Sequence, residues 1–188
     1  MKDIINNIAF DFDEVVVDNI SLVIKIANEL GYDHSIEFDK IRTYCIEQND
    51  VGITYEQLRI VFYIMEKYRE YDYNIFPGAE KVLNYVAKET QSVDFVSARR
   101  KIPQILLSKI FGNKIDSARF ACCHGTDKVE ALRNSGKSII IEDRLETCHV
   151  IAKAGLTPIV YNRPWNNVSH PYKTVYDWED IANLIGMP

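Results

Sequence analysis

The 188-residue chain has no long hydrophobic run, which excludes a helix that crosses a membrane. No stretch approaches the roughly 20 consecutive apolar residues that a bilayer requires. The chain opens Met-Lys-Asp and passes directly into a strand-like segment, without the apolar region and cleavage site of a signal peptide. We therefore expect a cytoplasmic protein without a membrane partner.

Cysteine and positive charge are also scarce. The four cysteines, Cys45, Cys122, Cys123 and Cys148, form no Cys-x-x-Cys pair, so the sequence favours buried, reduced thiols over zinc sites or disulfides. The formal net charge of −5 argues against a general nucleic-acid surface, and we expect no polymeric nucleic acid as a partner. It still permits an anionic small molecule, because one metal ion and one lysine can reverse the local field.

The remaining composition, 47% hydrophobic and 26% charged, is ordinary for a soluble globular protein. From residue 76 onward, strand-like and helix-like segments alternate. Strands are expected at 92–96, 119–122, 138–141 and, as the last one, 157–161, and helices at 79–88, 102–110, 127–133, 146–154 and 178–185. This alternation predicts an α/β fold, a Rossmann-like parallel sheet with helices on both faces.

The stretch between the first strand and this alternating region looks entirely helical. Helices are expected at 18–30, around 38–48 and at 54–69. Thr54 and Gln57 resemble a capping box at the start of the last of these. The sequence therefore predicts an α/β core made of 1–17 and 74–188, with a small helical cap, 18–73, inserted after the first strand.

The run Ile8-Ala9-Phe10-Asp11-Phe12-Asp13 ends an apolar, strand-like segment in two acids. Residues i and i+2 of a strand point to the same side, so the carboxylates of Asp11 and Asp13 are expected to converge at the carboxyl end of the strand. In a parallel sheet this is the end where active sites form. Converging carboxylates need a cation or a shared proton to relieve their repulsion. Two acids with this spacing are, on their own, more often just the point at which a strand runs into a loop, so the interpretation depends on the other strand ends.

Those strand ends supply further polar groups. One strand ends in Ser97, with Arg99 two residues on, and another ends in Glu142 and Asp143. Lys128 stands at the start of a helix between them. We expect all of these groups at one edge of the sheet, where they suit a magnesium-assisted phosphoryl transfer. Carboxylate oxygens bind Mg²⁺, the hydroxyl and the ammonium hold phosphate oxygens, and one carboxylate is left to attack.

Taken in order, these groups resemble the four motifs of the haloacid dehalogenase (HAD) superfamily, whose members mostly act as magnesium-dependent phosphatases. The matching residues are Phe10-Asp11-Phe12-Asp13, Ser97, Lys128 and Glu142-Asp143. The helical insertion resembles the first class of cap domain in that superfamily. The likeness covers nearly the whole chain, and it implies an enzyme that hydrolyses a small phosphoester.

Two runs are similar to a narrower branch, the cytosolic 5'(3')-deoxyribonucleotidases, which remove phosphate from nucleoside monophosphates. They are Ile141-Glu142-Asp143-Arg144 and Tyr161-Asn162-Arg163-Pro164-Trp165-Asn166. The branch commonly has two aspartates where this chain has Glu142 and Asp143. This likeness implies a 5'-nucleotidase, while a phosphatase of a sugar phosphate or another small phosphoester stays open.

The superfamily resemblance also implies catalytic and metal-binding roles. Asp11 attacks phosphorus and becomes an aspartyl-phosphate. Asp13 protonates the departing oxygen and then takes a proton from the hydrolytic water. Mg²⁺ is held by Asp11, the backbone carbonyl of Asp13 and Asp143, with Glu142 as a secondary ligand.

Substrate contacts are implied for four more side chains. Ser97 and Lys128 bind the equatorial phosphate oxygens. For Arg99 and for Arg163, a substrate contact and an ordinary surface charge are equally consistent with the sequence. Five tyrosines of the insertion are more typical of packing than of base stacking: Tyr55, Tyr63, Tyr68, Tyr71 and Tyr73.

Glu14 departs from the resembled pattern, since the superfamily usually has glycine after the second aspartate. We expect Glu14 to impose a different backbone turn and to add negative charge near the metal. This residue also keeps open a non-catalytic relative that binds a ligand or a partner. Whether the chain forms a homodimer stays open as well, because oligomeric state leaves no signal in this sequence.

Overall fold

A computed structural model describes residues 2–32, 36–123 and 127–188. Its strands are β1 (Ile8–Phe10), β2 (Val17–Asp18), β3 (Asn74–Ile75), β4 (Val93–Ser97), β5 (Ala118–Cys122), β6 (Ile139–Glu142), β7 (Thr157–Tyr161) and β8 (Lys173–Val175). Six of them form one sheet in the order β5-β4-β1-β6-β7-β8, and every neighbouring pair in it is parallel. The predicted α/β fold class is confirmed.

Helices cover both faces of this sheet. The helices of the described ranges are α1 (Lys2–Asn7), α2 (Asn19–Glu29), α3 (Tyr55–Tyr68), α4 (Ala79–Thr90), α5 (Gln104–Phe111), α6 (Lys128–Asn134), α7 (Leu145–Lys153) and α8 (Trp178–Ile185), of which α2 and α3 lie between β2 and β3. On one side α4 contacts α1, α5 and α8, and on the other α6 contacts α7. Alternate strand residues divide accordingly, since Phe10 packs in a large apolar cluster with Trp178 and Ala9 in a smaller one with Leu132.

The register of the central strands brings three strand ends together. Ala9 of β1 lies opposite Asp94 of β4 and Ile140 of β6. The pairing continues just past the end of β1, where the amide of Asp11 donates to the carbonyl of Ile141 at 2.9 Å. The residues that follow β1, β4 and β6 therefore meet at one edge of the sheet.

The chain leaves this core through β2 and returns through β3, and the two strands pair antiparallel with Val17 opposite Ile75. Between them, α2 packs against α3. The capping box at the start of α3 is confirmed, because Gln57 N donates to Thr54 Oγ1 and Thr54 N donates to Gln57 Oε1. Across the described ranges, every helix is too short or too polar to cross a membrane.

The expected helix around 38–48 is wrong. Two single turns of 3₁₀ helix form there instead, Phe38–Lys40 and Ile46–Gln48. The side chain of Asn49 accounts for the break, because its Oδ1 accepts from the amides of Arg42 at 2.6 Å and Thr43 at 3.0 Å. A side chain that binds the backbone in this way competes with the hydrogen bonds of a helix.

Two short elements also differ from expectation. β8 follows β7, so 157–161 is not the last strand, and α1 precedes β1, which is therefore not the first element of the chain. β8 has three residues and α1 has six. Elements of this length contain too few residues for a hydrophobic period to be read.

Candidate active site

Three buried carboxylates form a cluster at the shared edge of β1 and β6. They belong to Asp11, Glu142 and Asp143, and one oxygen of each lies within 4.8 Å of the others. Asp11 directly follows β1, Glu142 ends β6 and Asp143 follows it. Parallel pairing of the two strands is what places these acids together.

Lys128 lies between two members of this cluster. Its Nζ is 2.8 Å from Asp11 Oδ2 and 2.7 Å from Glu142 Oε2. Lys128 is the first residue of α6, and this helix begins where the side chain of Asp127 accepts from the amide of Glu130. The N-terminal cap of α6 therefore determines where this helix begins and so places the Lys128 ammonium beside the carboxylates.

The cluster has the chemistry of a divalent cation site. Burial, reinforced by the neighbouring carboxylates, raises the pKa of Asp11, Glu142 and Asp143 above the usual range, although Lys128 acts against the shift. Three carboxylates beside one ammonium leave an excess of negative charge that a cation relieves. Clustered hard oxygen donors suit Mg²⁺. Trp165 Nε1 donates to Asp143 Oδ2 at 3.0 Å, which orients this carboxylate.

The Asp13 side chain lies outside this cluster. Its carboxylate instead accepts from Arg99, at 2.6 Å from Nη2 and 3.0 Å from Nε. Because β1 ends at Phe10, the alternation of strand side chains does not extend as far as Asp13, although both aspartates lie just beyond the end of this strand. The Asp13 carboxylate is therefore not part of the three-carboxylate cluster. No described residue donates a hydrogen bond to the backbone carbonyl of Asp13.

Both aspartates still line one cavity. It measures about 190 Å³, and its walls include Asp11, Asp13, Tyr44, Ala98, Lys128 and Arg144. Asp13 also lines two neighbouring cavities. One of about 220 Å³ is bounded by Asn19, Phe62, Tyr73, Arg99, Arg100 and Lys101, and one of about 230 Å³ by Asn19, Ile20, Val23, Tyr44, Phe62 and Trp165. Asp13 thus lies where these three cavities meet.

Ser97 is not among the residues that line these cavities. It ends β4 as expected, but its side chain is fully buried and its Oγ accepts from the amide of Arg99 at 3.3 Å. Ala98, the next residue, lines the 190 Å³ cavity instead. The segment 124–126, which precedes Lys128, lies outside the described residues.

Arg163 is neither a cavity-lining residue nor a surface charge. Only 7% of it is exposed, and its guanidinium lies between the rings of Phe76 at 4.2 Å and Tyr161 at 4.3 Å. Its Nε donates to the backbone carbonyl of Glu14 at 2.9 Å. The interpretation of Arg163 as an ordinary surface charge is therefore wrong, and the contacts that its guanidinium makes are with buried rings and the backbone.

Glu14 adopts the left-handed conformation, with φ +59°, for which glycine is the ordinary residue. Its Oε1 accepts from the amides of Asn19 at 2.7 Å and Ile20 at 2.9 Å, the first two residues of α2. Burial raises the pKa of Glu14 to about 8, although Arg163 acts against the shift. The side chain is thus directed at the insertion and at Arg163.

Three residues at the site carried no role in the sequence interpretation. The Arg144 guanidinium lies 4.6 Å from the ring of Tyr44, and Trp165 meets the same ring edge-on at 6.5 Å. Arg144 and Trp165 stand in the runs that resemble deoxyribonucleotidases, which is the signal that could have found them. Tyr44 lies in the segment wrongly expected to be helical. Of the five tyrosines considered, Tyr73 lines a cavity and the others are exposed: Tyr55, Tyr63, Tyr68 and Tyr71.

Comparison with known proteins shows the fold. No protein-family model matches the sequence, and no curated protein matches it significantly. A HAD family hydrolase from Deinococcus radiodurans R1, solved with bound phosphate and sodium, is 15% identical, with a TM-score of 0.61 over 96% of this chain and 95% of that one. A haloacid dehalogenase-like hydrolase from Streptococcus pneumoniae is 16% identical, with a TM-score of 0.57 over 94% and 97%.

A third structure, named as a predicted phosphoglycolate phosphatase from Haemophilus somnus 129pt, is 12% identical. Its TM-score is 0.62 over 95% of this chain and 97% of that one. All three matches extend over nearly the full length of both chains. The chain therefore has the HAD-like fold of these hydrolases.

Proposed function

We propose that this chain is a magnesium-dependent phosphomonoester hydrolase that works through an aspartyl-phosphate on Asp11. The observation that carries the proposal is the buried cluster of Asp11, Glu142 and Asp143, with Lys128 beside it, at the wall of a cavity of about 190 Å³. The shared fold with HAD hydrolases, one of them solved with phosphate, supports the same reaction class.

Asp11 and Asp13 divide the chemistry between them. An Asp11 oxygen bonds to phosphorus as the ester oxygen leaves, and Asp13 gives that oxygen a proton. Water then attacks phosphorus, Asp13 takes its proton, and the bond to Asp11 breaks to release phosphate. The separation of the two carboxylates supports this division, because Asp13 lies in the same cavity but is held by Arg99.

The cation would be held by the carboxylates of Asp11, Asp143 and Glu142 and by the backbone carbonyl of Asp13. When bound, it supplies the positive charge that lets an anionic nucleophile approach an anionic phosphate. Lys128 is the proposed donor to phosphate oxygens. Ser97 stays a proposed phosphate ligand through its hydroxyl proton, since its oxygen already accepts from the Arg99 amide.

Residues 18–73 are the proposed cap that selects the leaving group. Tyr44, Phe62 and Trp165 surround the cavity of about 230 Å³ beside Asp13, and three rings at one cavity suit a nucleobase. We therefore favour nucleoside monophosphates as substrates. Arg100 and Lys101 at the cavity of about 220 Å³ support the second candidate, a sugar phosphate or a phosphorylated acid.

Phosphate release from nucleoside monophosphates, sugar phosphates and phosphoglycolate, with and without Mg²⁺, tests this function. We expect metal-dependent turnover in the wild type and none in Asp11→Asn. Asp177→Asn, in a helix cap at α8, is the control and should keep full activity. No turnover on any substrate would favour a non-catalytic relative, whereas full activity in Asp11→Asn would overturn the aspartyl-phosphate mechanism.

A further inference from the structure

The backbone of the loop after β1 is fixed by three contacts with the core. The carbonyl of Glu14 accepts from Arg163 Nε, and that of Val15 accepts from Trp178 Nε1 at 3.0 Å. The carbonyl of Val16 accepts from the amide of Phe76 at 2.9 Å. This loop carries Asp11 and Asp13 and leads directly into β2, so the same stretch joins the carboxylates to the insertion.

Glu14 extends this fixed loop to the first helix of the insertion. Four amides at the start of a helix have no partner within it, and the Oε1 of Glu14 accepts from two of them, those of Asn19 and Ile20. Asp18 accepts from a third, that of Ser21. A carboxylate at this end of a helix is also favoured by the helix dipole.

The contact between Glu14 and α2 requires a strained backbone at Glu14. A non-glycine residue in the left-handed conformation carries a backbone strain that glycine avoids. Glu14 is 5% exposed, and its Oε2 lies 3.4 Å from Arg163 Nε. Glycine, typical of the resembled superfamily at this position, would avoid the strain but would leave Asn19 and Ile20 without this acceptor.

We propose that Glu14 is a positioning residue that holds α2 against the catalytic loop, with Arg163 as its anchor in the core. Asn19 lines both cavities beside Asp13, and Ile20 lines one of them. The contact therefore fixes where the walls of the leaving-group cavities lie relative to Asp13. The effect on turnover rests on the proposed function, whereas the contact itself can be tested without it.

Hydrogen exchange and hydrolysis together test this role in three variants. Glu14→Gly removes the acceptor and relieves the backbone strain, so any loss comes from the side chain alone. Glu14→Gln keeps an acceptor oxygen and should restore wild-type behaviour. Asp177→Ala is the matched control, because Asp177 accepts from two amides at the start of α8 and from none at the start of α2. If Glu14→Gly does not fold, Glu14→Asn replaces it, since asparagine tolerates the left-handed conformation and its shorter side chain moves the acceptor away from α2.

In Glu14→Gly we expect exchange of the Asn19 and Ile20 amides to accelerate about tenfold, within the range measured for lost helix caps. Asp177→Ala should leave these two amides unchanged. With thymidine monophosphate as probe, kcat/KM should fall about tenfold, mainly through KM, whereas acetyl phosphate, whose small leaving group does not reach the insertion, should change less than twofold.

Unchanged exchange in Glu14→Gly, failure of Glu14→Gln to restore it, or an equal loss with both probes would overturn the positioning role. If the wild type hydrolyses neither probe, the assignment of a nucleotide substrate fails, and the exchange rates still decide whether Glu14 holds α2.

Discussion

Arg99 donates hydrogen bonds to the Asp13 carboxylate from two nitrogens, Nη2 at 2.6 Å and Nε at 3.0 Å. The same guanidinium lies 5.3 Å from the ring of Phe12 and 5.0 Å from that of Tyr73. Arginine is suited to this contact because its planar fork matches a carboxylate and stacks on aromatic rings. The pair fixes the direction of the Asp13 carboxylate, and with it the direction of the proposed proton transfer.

Arg99→Ala should therefore lower kcat by about 10- to 100-fold, as misplaced catalytic groups do. Arg99→Lys keeps the charge but not the fork and should fall between this variant and the wild type. Steady-state hydrolysis of the best substrate measures both, with Arg59→Ala, at an exposed arginine of α3 that lines none of the three cavities, as the control. An unchanged kcat in Arg99→Ala would mean that Asp13 needs no such support.

Asp13→Asn and Asp11→Asn should fail at different stages. With p-nitrophenyl phosphate, whose leaving group needs little protonation, Asp13→Asn should still phosphorylate Asp11 but lose the base that activates water. The phosphorylated protein should then accumulate and be visible by intact mass spectrometry after acid quenching. Asp11→Asn should show no such adduct. An adduct in Asp11→Asn would place the nucleophile elsewhere.

The carboxylate cluster predicts opposite pH trends with and without Mg²⁺. Because burial raises the pKa of Asp11 and Asp143 in the folded state to about 7, the folded metal-free protein binds more protons than the unfolded chain between about pH 4 and pH 7. Stability should therefore fall as the pH rises through this window. Mg²⁺ requires deprotonated ligands, so its stabilising effect should grow over the same range.

Thermal unfolding from pH 5 to pH 8, with EDTA or with Mg²⁺, measures both trends. The difference between the two melting temperatures should widen toward pH 8, and Asp143→Asn should reduce it. Coincident curves in EDTA and Mg²⁺ would show that the cluster holds no magnesium in this range.

Trp165→Phe should weaken metal binding without removing a ligand. The variant loses the hydrogen bond from Nε1 to Asp143 while keeping an aromatic ring beside Phe38 and Tyr44. Loss of such a supporting contact typically costs 10- to 100-fold in metal affinity. The Mg²⁺ concentration for half-maximal activity should rise by about that factor, with little change in kcat at saturating metal. Identical Mg²⁺ dependence in both proteins would contradict this.

The sequence predicts the parts of the site that strand pairing alone decides. Asp11 and Asp143 follow neighbouring parallel strands, so the topology of the sheet is enough to bring them together. Lys128 is predictable for the same reason, because its helix connects two strands of that sheet. Each of these positions depends on local periodicity and on the order of elements, which a sequence displays directly.

Other features depend on contacts between distant residues. The direction of the Asp13 side chain is set by Arg99, 86 residues away. The burial of Arg163 depends on two rings, one of which, that of Phe76, belongs to the return from the insertion. The expected helix around 38–48 does not form because the side chain of Asn49 binds the backbone there. Helix propensities of single residues do not predict such hydrogen bonds.

The antiparallel pairing of β2 with β3 has a consequence for how new specificities arise. Val17 and Ile75 are directly opposite, so the ends of the insertion lie roughly 5 Å apart, the spacing of adjacent strands. Any other segment whose ends match this ribbon could be grafted there without altering a strand of the sheet. The junction is a point at which the proposed catalytic core and the proposed cap can be exchanged independently of one another.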